Sequence, residues 1–483
     1  MTMNEFFYSL MLLGGLSSSP QMPFWATAGQ YGIMPDTPGA LAVISAGTEF
    51  DPSRTLQWRF GTSLAVRSDA LDSFELLPDE LYASLRWWKL DLDLGFKHKE
   101  RYFMANTAAL GSVSSTSGNV VWSANARTMP GINLTLRPLD IPFTRGHLQL
   151  LGSWGDYATT DERVVRGAWI HNMQAFLRLN IGPVSFTAGV DHNAVWAGYS
   201  DQFGKMPNGI MNYLRMCVGD SGRADATLND QYNVLGNQLG AERFRLDYRA
   251  DGWTLSLQHD IPYDDRSGMR FQNFPDGVNT IAFSLDRKDA WISDVAYEWH
   301  YTMYQSGTMH QREATEEEKA AQDPSIFHYG YIILGGLDNY FNNGEYASGW
   351  TLHGRTIGNP LFYPAGTRDG SWSRKAMTRG VENNRIKAHH LGISGRLARV
   401  VPYKLMLTYS TNYGTYGKPY NGESQKDKPW GTVMETGLHQ FSAGLQLEIP
   451  LGRTRLTLLP AAYLDRGEVL GNSFAATLGL RFQ

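Results

Sequence analysis

The sequence predicts an all-β fold: a transmembrane antiparallel β-barrel of about eighteen strands, with long loops and a short helical insertion. Three observations predict it. Apolar and polar side chains alternate with a period of two, in segments about as long as a membrane-crossing strand, from the first fifty residues to the last. Aromatic residues (22 Phe, 24 Tyr and 14 Trp) are spread along all 483 residues, which fits one repetitive domain, 1–483, better than several. No run of about 18 or more apolar residues occurs, so helical membrane spans are not expected. Barrel strands evade that test because polar lumen residues dilute every window.

Successive side chains of a strand point to opposite faces, so a sheet built from this pattern is apolar on one side only. A closed barrel with lipid outside and water inside requires that arrangement. Residues 6–16 (FFYSLMLLGGL) read as the first strand. A secretory leader is the competing reading, but no Lys or Arg precedes Arg54, so a basic n-region is missing, and Ala26 and Ala28 lie far beyond the apolar run. On this reading the export signal is expected to lie outside the sequence.

Residues 41–50 follow as a candidate strand. From Leu56 the positions Leu56, Trp58, Phe60, Thr62, Leu64 and Val66 oppose Gln57, Arg59, Gly61, Ser63 and Arg67. After a candidate at 81–87, Trp88, Leu90, Leu92, Leu94 and Phe96 alternate with Lys89, Asp91, Asp93, Gly95 and Lys97. Turning that strand over would set two lysines and two aspartates against lipid, and one lysine costs about 2–4 kcal/mol near the bilayer midplane. The register follows from that cost. Candidates at 132–137, 147–155, 168–180, 184–190 and 243–249 lead to Trp253, Leu255 and Leu257, set against Thr254, Ser256 and Gln258. Then come 280–286, and Val295, Tyr297, Trp299, Tyr301 and Met303 against Asp294, Glu298 and His300. Candidates at 347–356 and 386–395 precede Tyr403, Leu405, Leu407 and Tyr409, which oppose Lys404, Thr408 and Ser410. Phe441, Ala443, Leu445, Leu447 and Ile449 alternate with Gln440, Ser442, Gln446 and Glu448, and 454–463 follows. The last strand carries Phe474, Ala476, Leu478, Leu480 and Phe482 on one face and Ser473, Thr477, Gly479, Arg481 and Gln483 on the other.

Aromatics gather at strand ends: Trp87, Trp88, Trp253, Trp291, Trp299, Trp350, Tyr413 and Tyr416. Interface girdles use amphipathic rings at headgroup level. Long connections interrupt the beat at 198–240, at 309–373 and at 414–437, the second opening with MHQREATEEEKAAQ (309–322), which reads as a short solvated helix. The net charge of −4, from 43 basic and 47 acidic residues, gives no basic field for nucleic acid. Cys217 is the one cysteine, which excludes an internal disulfide and a thiolate metal cluster.

Six segments in order, PFWATAGQYG (23–32), SANARTMPGINL (123–134), DQYNVLGNQLG ending at Gly240, LDNYFNNGEYASGWTLHGRTIGNPLF (337–362), NRIKAHHLGISG (384–395) and NYGTYG (412–417), carry a resemblance. The chain resembles the Wzi family of outer-membrane capsule-assembly proteins, especially the form found in Bacteroides-like bacteria. The resemblance covers essentially the whole chain. It implies an eighteen-stranded barrel in the cell outer membrane, obstructed by loops and a periplasmic helical element, that helps retain capsular polysaccharide in lectin-like fashion. The helical bundle near the N-terminus of enterobacterial members has no counterpart here, since strands begin almost at once. The closing Phe482–Gln483 departs from a terminal aromatic.

Sugars are held by aromatic faces together with planar amide, carboxylate and guanidinium hydrogen bonds, and an acidic polysaccharide adds a need for Arg or Lys. The segment 337–356 supplies this chemistry densely in Asp338, Asn339, Tyr340, Asn342, Asn343, Tyr346, Trp350, His353 and Arg355. With Asn384, Arg385 and His390 these residues are the candidate polysaccharide contacts. The bland reading is that Asn–Gly runs are turn chemistry and that Trp350 anchors an interface. His389 and His390 cannot chelate one ion together, because neighbours on a strand face opposite ways. Asp91 and Asp93 share a face with Lys89 and Lys97, which makes a lumen charge ladder. The Ser-rich 112–117 has no spacing that identifies a nucleophile, and Glu316, Glu317 and Glu318 suit a solvated helix face.

The reading is a non-enzymatic outer-membrane barrel that anchors surface polysaccharide, with no cofactor and no metal. Its expected partners are capsular or other surface polysaccharide, outer-membrane lipid, and other capsule-export or surface-assembly proteins. The alternative is a diffusion channel for oligosaccharides or other small solutes. A lipid-modifying barrel enzyme is a third class and lacks a catalytic constellation in the sequence.

Overall fold

The computed structural model describes residues 6–70, 73–99, 111–232, 234–264, 268, 271–309, 312–321, 332–333, 336–429, 431 and 434–483. Among them, eighteen barrel strands run in chain order, each antiparallel to the next: β1 (Phe6–Ser17), β2 (Gly39–Thr48), β3 (Leu56–Asp69), β4 (Ser73–Trp87), β5 (Leu90–Phe96), β6 (Pro130–Asp140), β7 (Leu148–Ala158), β8 (Trp169–Ile181), β9 (Val184–Trp196), β10 (Asn237–Ala250), β11 (Trp253–Tyr263), β12 (Gly277–Leu285), β13 (Asp294–Tyr301), β14 (Ile386–Leu397), β15 (Val401–Asn412), β16 (Leu438–Leu447, resumed after Glu448 by Ile449–Pro450), β17 (Leu456–Gly467) and β18 (Ser473–Phe482). Leu10 pairs with Phe482 and Leu12 with Leu480, so β18 closes on β1 and no edge is left open. Residues 6–17 are thus a full strand, paired on both sides.

Burial along each strand is the reverse of a soluble sheet. On β3, Trp58, Phe60, Leu64 and Val66 are exposed, while Ser63 and Arg67 are buried. On β18, Phe474, Leu478 and Leu480 are exposed, and Ser473 and Thr477 are buried. Apolar side chains on the outside have no protein to bury them, and a row this continuous is stable only against hydrocarbon. The wall is therefore that of an integral, multi-pass barrel of the outer membrane.

Connections sort by length to the two ends. One end has tight turns such as 182–183 and 251–252, where Gly182 (φ 56°) and Gly252 (φ 81°) adopt the positive φ that two-residue hairpins need. The other end carries 18–38, 97–129, 197–236, 264–276, 302–385 and 413–437. Short turns are periplasmic and long loops extracellular in such barrels, so the loop end is the outer end.

Some sequence expectations are corrected. Residues 347–356 form no barrel strand. Thr351–Leu352 and Arg355–Thr356 pair as the arms of a turn at His353 (φ 47°) and Gly354 (φ 76°), which reverses the chain inside the lumen. Trp350 and Tyr416 are buried there and belong to no girdle. Met303 lies past the end of β13 and is also buried. Trp87, Trp88 and Trp291 are exposed at the short-turn end and Trp169 and Trp299 at the loop end, as girdle residues should be. The segment at 309–322 contains a helix, Glu316–Ala321, with Glu316 and Glu317 exposed, while residues 310–311 and 322 lie outside the described residues.

Candidate functional site

The lumen is occupied by loops that return from the outer end. Segment 18–38 enters with a single helical turn, α1 (Phe24–Thr27): the Phe24 N–H donates to Asp465 Oδ2 on β17 at 2.8 Å, and Trp25 Nε1 donates to Thr408 Oγ1 on β15 at 3.2 Å. Segment 111–129 crosses the middle. The Ser115 N–H donates to Glu298 Oε2 on β13 at 2.9 Å, both the Ser114 and Ser115 hydroxyls bond the same carboxylate, and Asn119 Nδ2 donates to Asp191 Oδ2 on β9 at 2.7 Å. This is the Ser-rich run, and its hydroxyls serve as anchors. It passes so close to β14 that a Cβ on Gly392 would stand 1.9 Å from the Val113 carbonyl oxygen.

Segment 336–385 completes the plug around an apolar core. Tyr340, Phe341, Trp350, Leu352 and Phe362 pack with Val120 and Val121 of the second segment. They meet inward-facing Ile170, Val195, Leu239, Val278 and Ile386 of the wall. The wall is apolar inside where this core touches it, and also around Leu41, Val43 and Leu77, at Leu151 with Phe176, and at Met406. Elsewhere its inward charges pair with one another: Arg86 with Asp91 (2.7 Å), Lys97 with Asp93 (2.6 Å), Arg243 with Asp260 (3.1 Å) and Arg245 with Asp247 (2.7 Å). Buried ions are tolerable only when paired and hydrogen-bonded. The ladder expected at Asp91 and Asp93 is present with one change, since Asp91 pairs with Arg86 and Arg137 on the two neighbouring strands and not with Lys89. Two adjoining internal cavities, of about 50 and 30 Å³, remain around Lys97, Lys99, Tyr157 and Gln174.

Above the plug, at the outer rim, opens a polar cleft of about 780 Å³. Its lining includes Asn237 and Gln238 from β10, Asp338, Asn339, Asn342 and Asn343, then Arg379, Glu382, Tyr416, Lys418 and Lys426. Arg379, Lys418 and Lys426 are exposed, and no ion pair is formed by them among the described residues. Asn339 is exposed, with its amide oxygen accepting from Asn384 Nδ2 at 2.6 Å. Asn343 Oδ1 caps the N–H groups of Glu345 and Tyr346 at 2.9 Å each.

The candidate contacts divide accordingly. Asp338, Asn339 and Asn342 reach the cleft, although Asn342 exchanges two hydrogen bonds with the Val381 backbone and is a structural brace as well. Tyr340, Tyr346 and Trp350 are in the plug core, donating to Asp276 Oδ2 (2.9 Å), the Ala197 carbonyl (3.4 Å) and the Val121 carbonyl (2.6 Å). Their rings have no free face on which a sugar could stack. His353 accepts or donates at Thr160 Oγ1 (3.0 Å), and burial, with the Arg127, Arg67 and Arg163 guanidiniums nearby, holds it neutral with its pKa down at about 3. Arg355 and Arg374 bond Asp36 from two sides. Burial raises the Asp36 pKa, but those two guanidiniums outweigh it and hold the carboxyl below its usual range. Arg385 is a buried bidentate partner of Glu435 (2.5 and 2.6 Å), and Asn384 bonds Tyr340 O at 2.9 Å. His390 lies inside between Thr408 and the Val113 carbonyl, 2.8 Å from each, whereas His389 faces out and bonds the Tyr297 hydroxyl at 2.7 Å. The alternate-face argument for this pair holds. Arg379, Glu382, Lys418 and Lys426 had no signal in the sequence, since each stands alone in a loop of mixed composition.

Neither a protein-family model nor a curated protein sequence matches the chain. Among solved structures it is similar to OccD3 (OpdP) of Pseudomonas aeruginosa, with 9% identity, 99% of this chain and 90% of that chain covered, and a TM-score of 0.46. It is also similar to the outer membrane protein opdK of the same organism (9%, 99% and 98%, TM-score 0.45) and to OccAB2 of Acinetobacter baumannii (10%, 99% and 97%, TM-score 0.43).

Proposed function

We propose that this outer-membrane barrel holds surface polysaccharide at its outer rim, in the manner that the Wzi-family resemblance implies. The observation that carries the reading is a polar cleft of about 780 Å³ set above a lumen filled by a packed plug. Amide groups of Asn339 and Asn343 suit sugar hydroxyls, and Arg379, Lys418 and Lys426 suit a glycan bearing carboxylates or other anionic groups. Recognition by this cleft is by hydrogen bonds and charge. The stacking platforms expected from the sequence are inside the plug.

The test is binding of purified capsular polysaccharide to the detergent-solubilised full chain. Asn339→Ala with Arg379→Ala and Lys418→Ala is expected to weaken it, and a deletion strain is expected to shed capsule that the parent keeps. Unaltered binding together with unaltered partitioning of capsule would count against the reading.

A diffusion channel is the second reading. The ladder of inward charges and the two adjoining polar cavities inside the wall favour it. Large, stable conductance steps from the purified protein in planar bilayers would establish it over the first.

A further inference from the structure

Loop 197–236 contains a second helix, α2 (Ile210–Cys217), that lies outside the barrel. Its attachments are to outward-facing wall positions. Tyr213 donates to Asp156 Oδ2 at 2.8 Å and accepts from Trp154 Nε1 at 2.7 Å, both on β7. The Cys217 sulfur is 3.7 Å from His171 Nε2 on β8, and His171 Nδ1 is 3.0 Å from Asp156 Oδ1. Gln238 on β10 donates to the Met216 carbonyl at 3.1 Å. Asp156, His171 and Gln238 stand in the same register as the lipid-facing leucines of their strands, where an uncovered polar group would be costly. The helix covers them with the side that carries Tyr213, Met216 and Cys217.

Its other side carries Ile210, Met211, Leu214 and Val218, and these are 73%, 57%, 50% and 77% exposed. They fall at i, i+1, i+4 and i+8, one stripe of a helix. The 264–276 loop likewise exposes Phe271 and Phe274, with the Phe271 ring 6.1 Å from the outward-facing Phe244 of β10. Two separate loops therefore leave large apolar side chains exposed. The stripe continues the lipid-facing belt directly, because Trp154, which bonds Tyr213, is itself an exposed belt residue.

We propose that α2 is an interfacial lipid anchor. It lies flat at the boundary between headgroups and acyl chains of the outer leaflet, hooked to the barrel by the Trp154–Tyr213–Asp156–His171 contacts. The anchor also bears on the cleft. Val234, Gly236 and Asn237, which follow α2 in the chain, line it, and Gln238 both lines it and bonds the last turn of the helix. Lipid contact therefore sets the position of one cleft wall, whatever the cleft binds.

The full chain in phosphatidylcholine vesicles tests this. With Cys217→Ala, a single Leu214→Cys carries a fluorophore that is challenged with shallow nitroxide lipid, deep nitroxide lipid and aqueous iodide. Leu257→Cys on the belt and Lys426→Cys in the cleft serve as controls. The Leu214 label is expected to be quenched about threefold more by shallow nitroxide than by iodide, and less by the deep one. Iodide quenching equal to that at Lys426, or protection from lipid and iodide alike as under a protein partner, would overturn the proposal. A Leu257 label that no lipid nitroxide quenches would instead indict the barrel reading. Should Cys217→Ala fail to insert, the same labels go on the native-cysteine chain, whose buried thiol reacts slowly.

Discussion

The lipid-facing wall and the plug are both apolar surfaces, yet they solve opposite problems. On the wall, Leu257 and Phe60 are exposed and gain stability only from the medium. In the plug, Trp350, Phe341 and Phe362 are buried among one another, as in a small soluble protein, and that core is sheathed by a polar barrel. The difference teaches that exposure has no fixed sign in this chain: which side is oil is decided by what lies beyond it. Between the two regions runs a shell of paired charges and hydroxyls, Glu298, Asp191 and Asp465 among them, through which the plug is fastened. The comparison can be broken from either side.

Trp350→Ala removes the largest fully buried side chain of the plug, together with its hydrogen bond to Val121. Truncating a buried Trp costs about 3–5 kcal/mol. The expected result is a plug that loosens inside an intact barrel. Planar-bilayer recordings should then show conductance that the parent lacks, while heat-modifiable mobility on gels stays that of a folded barrel. Loss of the barrel as well would mean that wall and plug are one cooperative unit.

Leu257→Lys strikes the other region. Leu257 lies four residues up β11 from Trp253, roughly 13 Å along the tilted strand from the short-turn rim. A lysine there costs about 2–4 kcal/mol. Assembly into vesicles should fall, as read by the fraction resisting urea extraction, whereas the neighbouring inward change Ser256→Ala should leave that fraction nearly unchanged. Equal effects at the two positions would contradict the assigned faces.

The contrast also explains what the sequence disclosed. Leu90, Leu92 and Leu94 against Asp91 and Asp93 announced their own faces, because a strand's medium is written in every second residue. The plug carries no such period. Val121, Tyr340 and Trp350 come from two loops and meet only after the barrel has closed, so Tyr340 and Trp350 look in sequence like exposed aromatic ligands. For the same reason the one false strand, 347–356, fell in the plug. The amide-rich half of the cleft was legible in Asp338, Asn339 and Asn342. Its cations were not, since Arg379, Lys418 and Lys426 are brought together only by loop folding.

Glu298→Ala tests the shell between the regions. The carboxylate accepts from both serine hydroxyls and the Ser115 N–H, all buried, so its loss strands donors at a cost of about 1–3 kcal/mol. Amide exchange across 111–119 should quicken, with exchange in β13 to β15 little changed. Glu298→Gln keeps an acceptor and is expected to restore most of the protection.

The smallest effect is expected where the plug-side loop meets the loop that carries α2. Asp230 is pushed up to about 7, first by burial and then by the facing Glu345 carboxylate. A carboxyl whose folded pKa is raised favours the fold in its protonated form. That contribution is complete below the ordinary carboxylate pKa near 3.8 and fades as pH rises through about 7. Proteolysis within 220–236 should therefore be slower at pH 5.5 than at pH 8, after correction for the protease's own pH profile. Asp230→Asn cannot ionise and keeps an oxygen for the Gly236 N–H, a bond of 3.1 Å in the parent, so the difference between the two pH values should shrink toward none. A pH dependence that survives in Asp230→Asn would place the titrating group elsewhere, and the junction between the two loops would then owe its strength to packing around Tyr346 and not to a shared proton.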